Sequence, residues 1–566
     1  MNHFNYKHYY YCEKNIRLDY LQHRNDSEQR FFENEKCLIF YLGNILFLEE
    51  MFNTTKQILK IYNKNDDLVN KIESGRFIIV IFDKKKKKLT IVNDRFGLIP
   101  LYIYNDGYNI IISTEPKGII KSFLIGKKKL KLDYSALANY FFYGYYLGNK
   151  YILKDIRKVK SASKIEIKEF IVKSNQYWKI NLKFNKKINN EMLDKLLIKF
   201  KEGISKNMEK YKGQYFCDIS GGYDCRFIFL NSNVNHVLTI GEPNCNEYKY
   251  VKETLKIKHA NLINVKSKLT KKNLISLSKI LDLSGNIGYP QVIDIINKLN
   301  NENFEFDYHY DGFLGDAIFG GSYLNSKKEL FREFGINQKY DINDFNIFDF
   351  NKNILDDCFF CRLKKENDIN NYINKEILND LSNDKIKIKL LEFKFYNRGI
   401  NLINTCGSLL IYKYVNNFFP YFYYPFFDLY SKIKLDDLHD KKVHTLLFKK
   451  LNKKYLRLKD DLFIVDFSYP YKFRLIISYF YPIIKKLFKK REKKIYDFSK
   501  DFTTNIDIIN WFKNNLAQKN YIKFFNQKYI KYIFKDKNML KNNYMYLNRC
   551  IGFVLFLKKY ENKIEL

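Results

Sequence analysis

One short segment of the sequence combines the residue types that bind a phosphate chain. Ser220, Gly221, Gly222 and Asp224 lie where a strand-like run, QYFCDIS, gives way to a helix-like run, YDCRFIFL. Glycines let the backbone approach a ligand closely, and a helix that begins there offers unpaired N–H groups to an anion. Asp224 would repel phosphate unless a divalent cation lies between them, and Mg²⁺ prefers carboxylate and phosphate oxygens. The segment predicts a Mg²⁺–pyrophosphate site, and an ordinary turn before a helix is the alternative.

The runs around this segment predict a parallel sheet. Residues 190–211 carry apolar residues at helical spacing, and the Ser220 segment is followed by HVLTIGE, EYKYVKETLKIK and ANLINV. These runs are typical of a strand, a helix and a further strand, and such alternation indicates a parallel sheet covered by helices. The rest of the chain is mostly helical by pattern. We therefore expect an α/β domain with a helical C-terminal part over residues 186–566.

The first 185 residues have a different pattern. Short apolar runs lie between turns, and one of these turns is the lysine tract DKKKKK. Such runs predict a β-rich, antiparallel domain. They lie at residues 37–48, 76–82, 89–93, 100–104 and 109–113.

Composition excludes several classes of protein. A chain of 566 residues is too long for one compact core, and 46% hydrophobic with 28% charged residues excludes a chain disordered throughout. No run of about 18 residues is apolar and free of charge, which argues against a spanning helix. Nine cysteines without a secretory signal predict a cytoplasmic protein with free thiols. The net charge of +37 is spread along a chain rich in Lys, Asn, Ile, Phe and Tyr, so we attribute it to codon bias rather than to a nucleic-acid partner.

Several blocks, in the right order, resemble the asparagine synthetase-like family. The Ser220 segment is similar to the SGGxDS loop (PP-loop) of ATP pyrophosphatases, with Cys225 in place of the last serine. DGFLGDAIFGG at 311–321 resembles the family segment with a second Mg²⁺-binding aspartate, which would be Asp316. NDRFGLIPLY at 93–102 is similar to the RDRFGIKPLYY block of class II glutamine amidotransferases. PFFD at 425–428 and STEPK at 113–117 resemble two further family blocks.

The resemblance implies a two-domain fold and a reaction. Residues 1–185 would form an Ntn-type αββα-like glutaminase domain, and residues 186–566 a PP-loop synthetase domain. With ATP and Mg²⁺ as cofactors, a substrate carboxylate would attack the α-phosphorus, and an amine would then take the acyl group from the adenylate and release AMP. The implied pyrophosphate-binding residues are Ser220, Gly221, Gly222, Asp224 and Cys225, the implied metal ligands are Asp224 and Asp316, and the implied oxyanion-stabilising lysine is Lys442 or Lys459.

The glutaminase part lacks the residues that its family reaction needs. The family nucleophile is a cysteine directly after the initiator methionine, whose own amino group serves as base. Here residue 2 is Asn, and the nearest cysteine is Cys12. The family's oxyanion-binding Asn-Gly falls at Leu42-Gly43, and its substrate-gripping aspartate at about Thr55. We expect no glutamine hydrolysis and a domain retained as a scaffold.

The identity of the substrates stays open. Phe313, Tyr421 and Tyr423 occupy positions that serve asparagine formation in the family. A small-molecule, peptide or glycan carboxylate joined to an amine is therefore the first hypothesis. An asparagine synthetase that uses free ammonia and a non-catalytic nucleotide-binding or regulatory protein are the alternatives. Residues 468–494 are aromatic and then basic, so a peripheral helix on anionic lipid is the alternative to a helix packed on the domain. Nothing in the sequence indicates the oligomeric state.

Overall fold

A computed structural model describes most of this chain. Residues 316–387 and nearly all of 459–497 lie outside the described ranges. The described ranges are 6–13, 16–23, 30–50, 53–64, 67–122, 125–243, 245–283, 290–302, 304–315, 394–401, 415–438, 442–458, 498–521 and 527–565, with isolated residues and pairs between the later ones.

The first part of the chain forms two sheets. The strands are β1 (Tyr6–Glu13), β2 (Ile16–His23), β3 (Phe31–Glu33), β4 (Cys37–Phe47), β5 (Ile72–Asp83), β6 (Lys88–Asn93), β7 (Tyr102–Asn105), β8 (Ile110–Ser113), β9 (Leu130–Lys131), β10 (Ile156–Lys158), β11 (Ser163–Lys168) and β12 (Ile171–Gln176). One sheet has the order β1-β2-β8-β7-β10 and the other β12-β11-β6-β5-β4-β3. Neighbouring strands are antiparallel, except that β2 and β8 run parallel. The lysine tract forms the turn between β5 and β6, as predicted.

The alternation of side chains along the strands builds four layers. The helices here are α1 (Thr54–Asn63), α2 (Leu68–Lys71), α3 (Pro116–Ile120) and α4 (Tyr134–Tyr143). Phe40 of β4 shares a buried cluster with Ile112 of β8, between the sheets, whereas the next residue, Tyr41, packs with Ile58 of α1. Ile111 of β8 faces the other way, into the cluster that contains α4. The layers are thus helix, sheet, sheet and helix, which agrees with the αββα-like sandwich that the sequence predicted.

A five-stranded sheet forms in the second part. Its strands are β13 (Tyr215–Asp218), β14 (His236–Ile240), β15 (Asn261–Val265), β16 (Tyr308–Tyr310) and β17 (Asn416–Phe418). All pairings are parallel, in the order β15-β14-β13-β16-β17. The order reverses between β13 and β16, and open parallel sheets bind ligands beyond the carboxyl ends of the strands at such a point.

Helices pack around this sheet and continue to the end of the chain. They are α5 (Asn190–Lys210), α6 (Tyr223–Asn231), α7 (Asn246–Ile257), α8 (Lys271–Leu281), α9 (Gln291–Asn301), α10 (Tyr424–Tyr430), α11 (Leu435–Leu438), α12 (Lys442–Leu451), α13 (Phe498–Thr504), α14 (Ile506–Leu516), α15 (Gln527–Ile533), α16 (Lys537–Asn542) and α17 (Tyr544–Lys559), with a π-helix at Lys394–Ile400 and 3₁₀ turns at Pro420–Phe422 and Lys453–Arg457. The last strand, β18 (Ile564–Glu565), pairs with β9 of the first part.

Among the described helices, none combines the length and the apolar character that crossing a bilayer requires. Residues 468–494, where a peripheral membrane helix was the alternative, lie almost entirely outside the described ranges. Membrane contact therefore stays a prediction.

The block NDRFGLIPLY joins the two parts. Phe96 makes edge-on contacts with Phe422 and Phe427, with ring centroids 4.9 and 5.0 Å apart. The Arg95 guanidinium lies over the Tyr424 ring, 4.2 Å from its centroid. The predicted boundary between residues 185 and 186 falls between β12 and α5 and stays a prediction.

Candidate functional site

The Ser220 loop lies at the point where the strand order reverses. β13 ends at Asp218 and α6 begins at Tyr223, so the loop connects the central strand to a helix as predicted. A Cβ atom at Gly221 would lie 2.9 Å from a ring carbon of Tyr250, so the close approach of α7 requires glycine here. The loop thus stands at the carboxyl edge of the sheet, where a nucleotide site is expected.

Hydrogen bonds hold the backbone of this loop on both sides. The N–H of Gly221 donates to Glu247 Oε1 at 3.0 Å, and the N–H of Gly222 donates to Ser220 Oγ at 3.1 Å. On the other side, the buried Arg226 donates from Nε to the Gly222 carbonyl at 3.0 Å and from Nη2 to the Gly221 carbonyl. In this arrangement the Glu247 carboxylate accepts the hydrogen bond that the predicted anion cradle would donate to phosphate. A phosphate oxygen would have to displace Glu247 from the Gly221 N–H.

Asp224 lies in the first turn of α6 and faces a buried histidine. His444 of α12 places Nε2 at 3.0 Å from Asp224 Oδ1; the imidazole is fully buried, and the Asp224 side chain is 20% exposed. The Tyr421 hydroxyl donates to the Asp224 backbone carbonyl at 2.9 Å. Asp224 is therefore fixed from two directions while part of its carboxylate reaches the surface.

The second predicted motif runs directly over Asp224. A Cβ atom at Gly315 would lie 2.7 Å from Asp224 Cγ, and one at Gly312 would lie 2.6 Å from Cys225 Sγ. The two loops can pack this closely only because both positions are glycine. Asp316, the next residue, lies outside the described residues, so its role as a metal ligand stays a prediction.

The remaining predicted site residues have the following positions. Lys442 is the first residue of α12, and its Nζ lies 2.5 Å from Asp437 Oδ1, so its charge is paired there. Lys459 lies outside the described residues, and neither lysine's role as oxyanion stabiliser is tested. Burial raises the pKa of the Cys225 thiol well above its usual value, and the nearby Asp218 carboxylate adds to this. Cys225 is therefore a neutral thiol and leaves the loop without an added negative charge.

Sequence reasoning missed a further group of polar side chains beside the loop. Asp218 at the end of β13, His309 in β16 and Asp311 just after β16 have ligand atoms that all lie within 4.8 Å of one another. His444 was missed as well. The available signal was the placement of Asp218 and His309 among large apolar residues of central strands, because a buried polar group there needs a partner.

Leu42, Gly43 and Thr55, three of the predicted glutaminase positions, are buried and have no ionisable side chain. Leu42 is buried between the sheets, and the next residue, Gly43, has a φ of +80° and accepts a hydrogen bond at its carbonyl from buried Arg30. Thr55 is buried in the first turn of α1. Cys12 lies within β1 and not at a chain terminus.

A cavity of about 630 Å³ lies between the sandwich and the segment at 392–401. Lys158 lines it and donates to Asn401 Oδ1 at 2.7 Å, and burial lowers the pKa of this lysine to about 8. None of the Ser220-loop residues lines it, so it is separate from the candidate site.

Parts of this chain are similar to known proteins. Residues 48–178 match the glutamine amidotransferase domain family. Over 178 residues the chain is 31% identical to the "Putative asparagine synthetase (glutamine-hydrolyzing) 2" of Methanocaldococcus jannaschii, covering 29% of this chain and 34% of that protein. The chain thus spans about a third of the length of that relative. A solved structure of the allosteric regulatory enzyme of purine biosynthesis matches 34% of this chain and 42% of its own at 12% identity, with a TM-score of 0.19.

The match over residues 48–178 and the four-layer sandwich that contains them define a glutamine amidotransferase-like domain. The 31% identity to the archaeal relative supports the resemblance to the asparagine synthetase-like family that the sequence showed.

Proposed function

We propose that this protein is a carbon–nitrogen ligase that uses ATP to adenylate a carboxylate and transfers the acyl group to an amine without hydrolysing glutamine. One observation carries the proposal: the Ser220 loop, Asp224 at the start of α6 and the Gly312–Gly315 segment come together where the strand order of a parallel sheet reverses. The similarity to a putative asparagine synthetase supports the same reaction class.

The residues present fit Mg²⁺. Asp224 offers a partly exposed carboxylate at the N-terminus of a nine-residue helix, and the segment leading to Asp316 packs against it. Asp224 and Asp316 would hold the ion, which supplies charge neutralisation to the phosphate oxygens when bound.

The loop backbone would stabilise the departing pyrophosphate. The N–H groups of Gly221 and Gly222 and the positive end of α6 face the charge that develops when the bond to the α-phosphorus breaks. A phosphate oxygen replaces Glu247 at the Gly221 N–H, while Arg226 keeps both glycine carbonyls turned away. The neutral Cys225 thiol offers a weak donor where the family has a hydroxyl.

The nitrogen would come from an amine and not from glutamine. Cys12 is within a strand, and Leu42 and Thr55 offer neither the amide donor nor the carboxylate that the family reaction uses. Small-molecule, peptide and glycan carboxylates are the substrate classes to test. Formation of asparagine from aspartate and free ammonia is the alternative reaction.

The test is carboxylate-dependent exchange of labelled pyrophosphate into ATP by the full-length protein. Asp224→Asn should lower the exchange rate about 100-fold or more, since it removes the charge that holds the cation. Asp194→Asn is the matched control, because Asp194 lies on α5 and its exposed carboxylate pairs with Lys450 and not with a residue of the loop. Its exchange rate should equal that of the wild type.

Two outcomes would overturn the proposal. One is the absence of exchange with every carboxylate tested, in protein shown to be folded. If that protein binds nucleotide but releases no AMP, the result favours the regulatory alternative. The other is an equal rate in Asp224→Asn and wild type. Asparagine formed from aspartate and ammonium would instead select the ammonia-dependent synthetase.

A further inference from the structure

Three ionisable side chains converge at the carboxyl ends of the two central strands. β13 and β16 are parallel neighbours, with Cys217 opposite Tyr310. The next residue along each chain segment is an aspartate, so Asp218 and Asp311 lie at the same level of the sheet. His309 Nε2 lies 3.1 Å from Asp218 Oδ1. One ligand atom from each residue falls within 4.8 Å of the other two, which is close enough for a single ion to touch all three.

The neighbouring strand fixes the imidazole of His309. Its Nδ1 lies 3.2 Å from Oδ1 of Asn417 in β17, and because an amide oxygen only accepts, Nδ1 carries the proton of this hydrogen bond. Nε2 is then directed toward the carboxylates. Among the described residues it makes no hydrogen bond of acceptable geometry, despite the short distance to Asp218. Histidines that bind metals commonly donate their other N–H to an oxygen in this way.

Burial makes a counter-charge at this point favourable. His309 is fully buried and Asp311 is 5% exposed, whereas the Asp218 side chain is 29% exposed and leaves a path from the surface. The carboxylates of Asp218 and Asp311 create a negative potential beside His309 Nε2. The same negative potential attracts a cation, because two carboxylates in a low-dielectric site require compensation.

We propose that Asp218, His309 and Asp311 form a divalent-cation site separate from the nucleotide-linked site at Asp224. One imidazole nitrogen with two carboxylate oxygens suits Zn²⁺ or Mn²⁺ better than Mg²⁺ or Ca²⁺, which favour oxygen ligands alone. The site requires no nucleotide, so it stands whether or not the ligase proposal holds.

The experiment titrates metal-free, full-length protein with Mn²⁺ and, separately, Zn²⁺ in the absence of ATP. Calorimetry should give a stoichiometry of one ion per chain that survives in Asp224→Asn. Pulsed electron paramagnetic resonance of bound Mn²⁺ should show coupling to an imidazole nitrogen.

Two variants test the assignment. Asp311→Asn keeps an oxygen to accept the 2.8 Å hydrogen bond from the Phe313 N–H but removes the charge, and it should weaken binding at least about 10-fold. His309→Gln should abolish the nitrogen coupling. Circular dichroism checks the fold, and the isosteric Asp311→Asn keeps the test decisive if His309→Gln does not fold.

The proposal is overturned if folded wild-type protein binds neither ion stoichiometrically without nucleotide, or if Asp311→Asn binds as tightly as wild type. Loss of binding in Asp224→Asn would also overturn it, because the ion would then belong to the nucleotide-linked site. Failure of the ligase assay leaves all of these measurements unaffected.

Discussion

Buried charged groups bind the backbone in the N-terminal sandwich. Near the parallel sheet Arg226 does the same, but two carboxylates there also face histidines. In the sandwich, the carboxylate of buried Asp94 accepts N–H bonds from Phe77, Phe96 and Leu98. Arg30 likewise donates to a backbone carbonyl. These side chains hold loops in place, so the block that contains Asp94 has a structural role that does not depend on glutamine hydrolysis.

Two carboxylate–histidine pairs at the parallel sheet join one side chain to another. Asp224 faces His444, and Asp218 faces His309, both at the carboxyl edge of the central strands. Such pairs do not hold the backbone in place, and burying their charges costs desolvation energy. Buried charges that bind backbone groups therefore indicate a structural role. Ionisable side chains that face one another at a sheet edge indicate a candidate functional site.

The largest effect is expected from a change in the scaffold. Gly43 has a φ of +80°, and a Cβ atom there would lie 1.8 Å from the Arg76 carbonyl oxygen in β5. Gly43→Ala should therefore lower the free energy of unfolding by roughly 3 kcal/mol or more, combining left-handed strain with overpacking. Urea unfolding followed by circular dichroism measures it.

Gly107→Ala is the matched control. Gly107 has a φ of +88°, but no atom lies within 4 Å of its would-be Cβ, so only the strain of about 1 kcal/mol applies. Equal losses in the two variants would show that the β4–β5 ladder relaxes around Gly43.

The next effect concerns the pH dependence of the sandwich. Burial raises the pKa of Asp94 from 3.8 to about 6, against the backbone N–H bonds that lower it. Between about pH 4 and 6 the folded state therefore holds a proton on Asp94 that the unfolded chain releases. The contribution of this group to the free energy of unfolding is complete below about pH 4 and is lost as the pH rises through about 6. It amounts to about 3 kcal/mol, since one pKa unit corresponds to about 1.4 kcal/mol.

Asp94→Asn removes this titration while keeping an oxygen acceptor. Urea unfolding at pH 4.5 and pH 7 should show that the stability of the wild type, measured relative to the variant, falls with rising pH. All other titrating groups are common to both proteins and cancel in the difference. A constant difference across this range would contradict the raised pKa.

A smaller effect is expected at the parallel sheet, on activity and not on fold. His444 is a positioning residue for Asp224, so His444→Ala should reduce pyrophosphate exchange about 10-fold and raise the Mg²⁺ concentration needed for half-maximal rate. His444→Gln, which retains a donor, should recover part of the loss. His236→Ala, in β14 away from Asp224, is the control. An unchanged Mg²⁺ requirement in His444→Ala would reduce His444 to a packing role.

The sequence predicted elements wherever apolar runs and turns mark them locally. The run at 37–48 is β4, the tract at 83–88 is the turn after β5, and the strand–loop–helix around Ser220 lies as expected. β16 and β17 have three residues each, too few for a periodic signal, and were not predicted.

The side-chain partners depended on tertiary packing. His444 reaches Asp224 across more than 200 residues of sequence, and Asn417 meets His309 through the pairing of β17 with β16. No local spacing encodes these contacts. Glu247 was missed for the same reason, because only the packing of α7 brings it to the Gly221 N–H. The sequence therefore predicted the loop but not the groups that hold it, and the chemistry of the loop stays a prediction.

The smallest effect is expected at Cys12. This residue lies within β1, opposite Arg17 in the β1–β2 pair, so its backbone nitrogen is part of a peptide bond and cannot act as the base. Cys12→Ser should leave glutamate release from glutamine at background, equal to the wild type. It should change amine-dependent product formation by less than about twofold, because no step of the proposed reaction uses this thiol. Glutamate release that is present in the wild type and absent in Cys12→Ser would contradict this prediction, because the sandwich would then hold a working nucleophile. The charged groups of the sandwich would in that case have to be tested for a catalytic role.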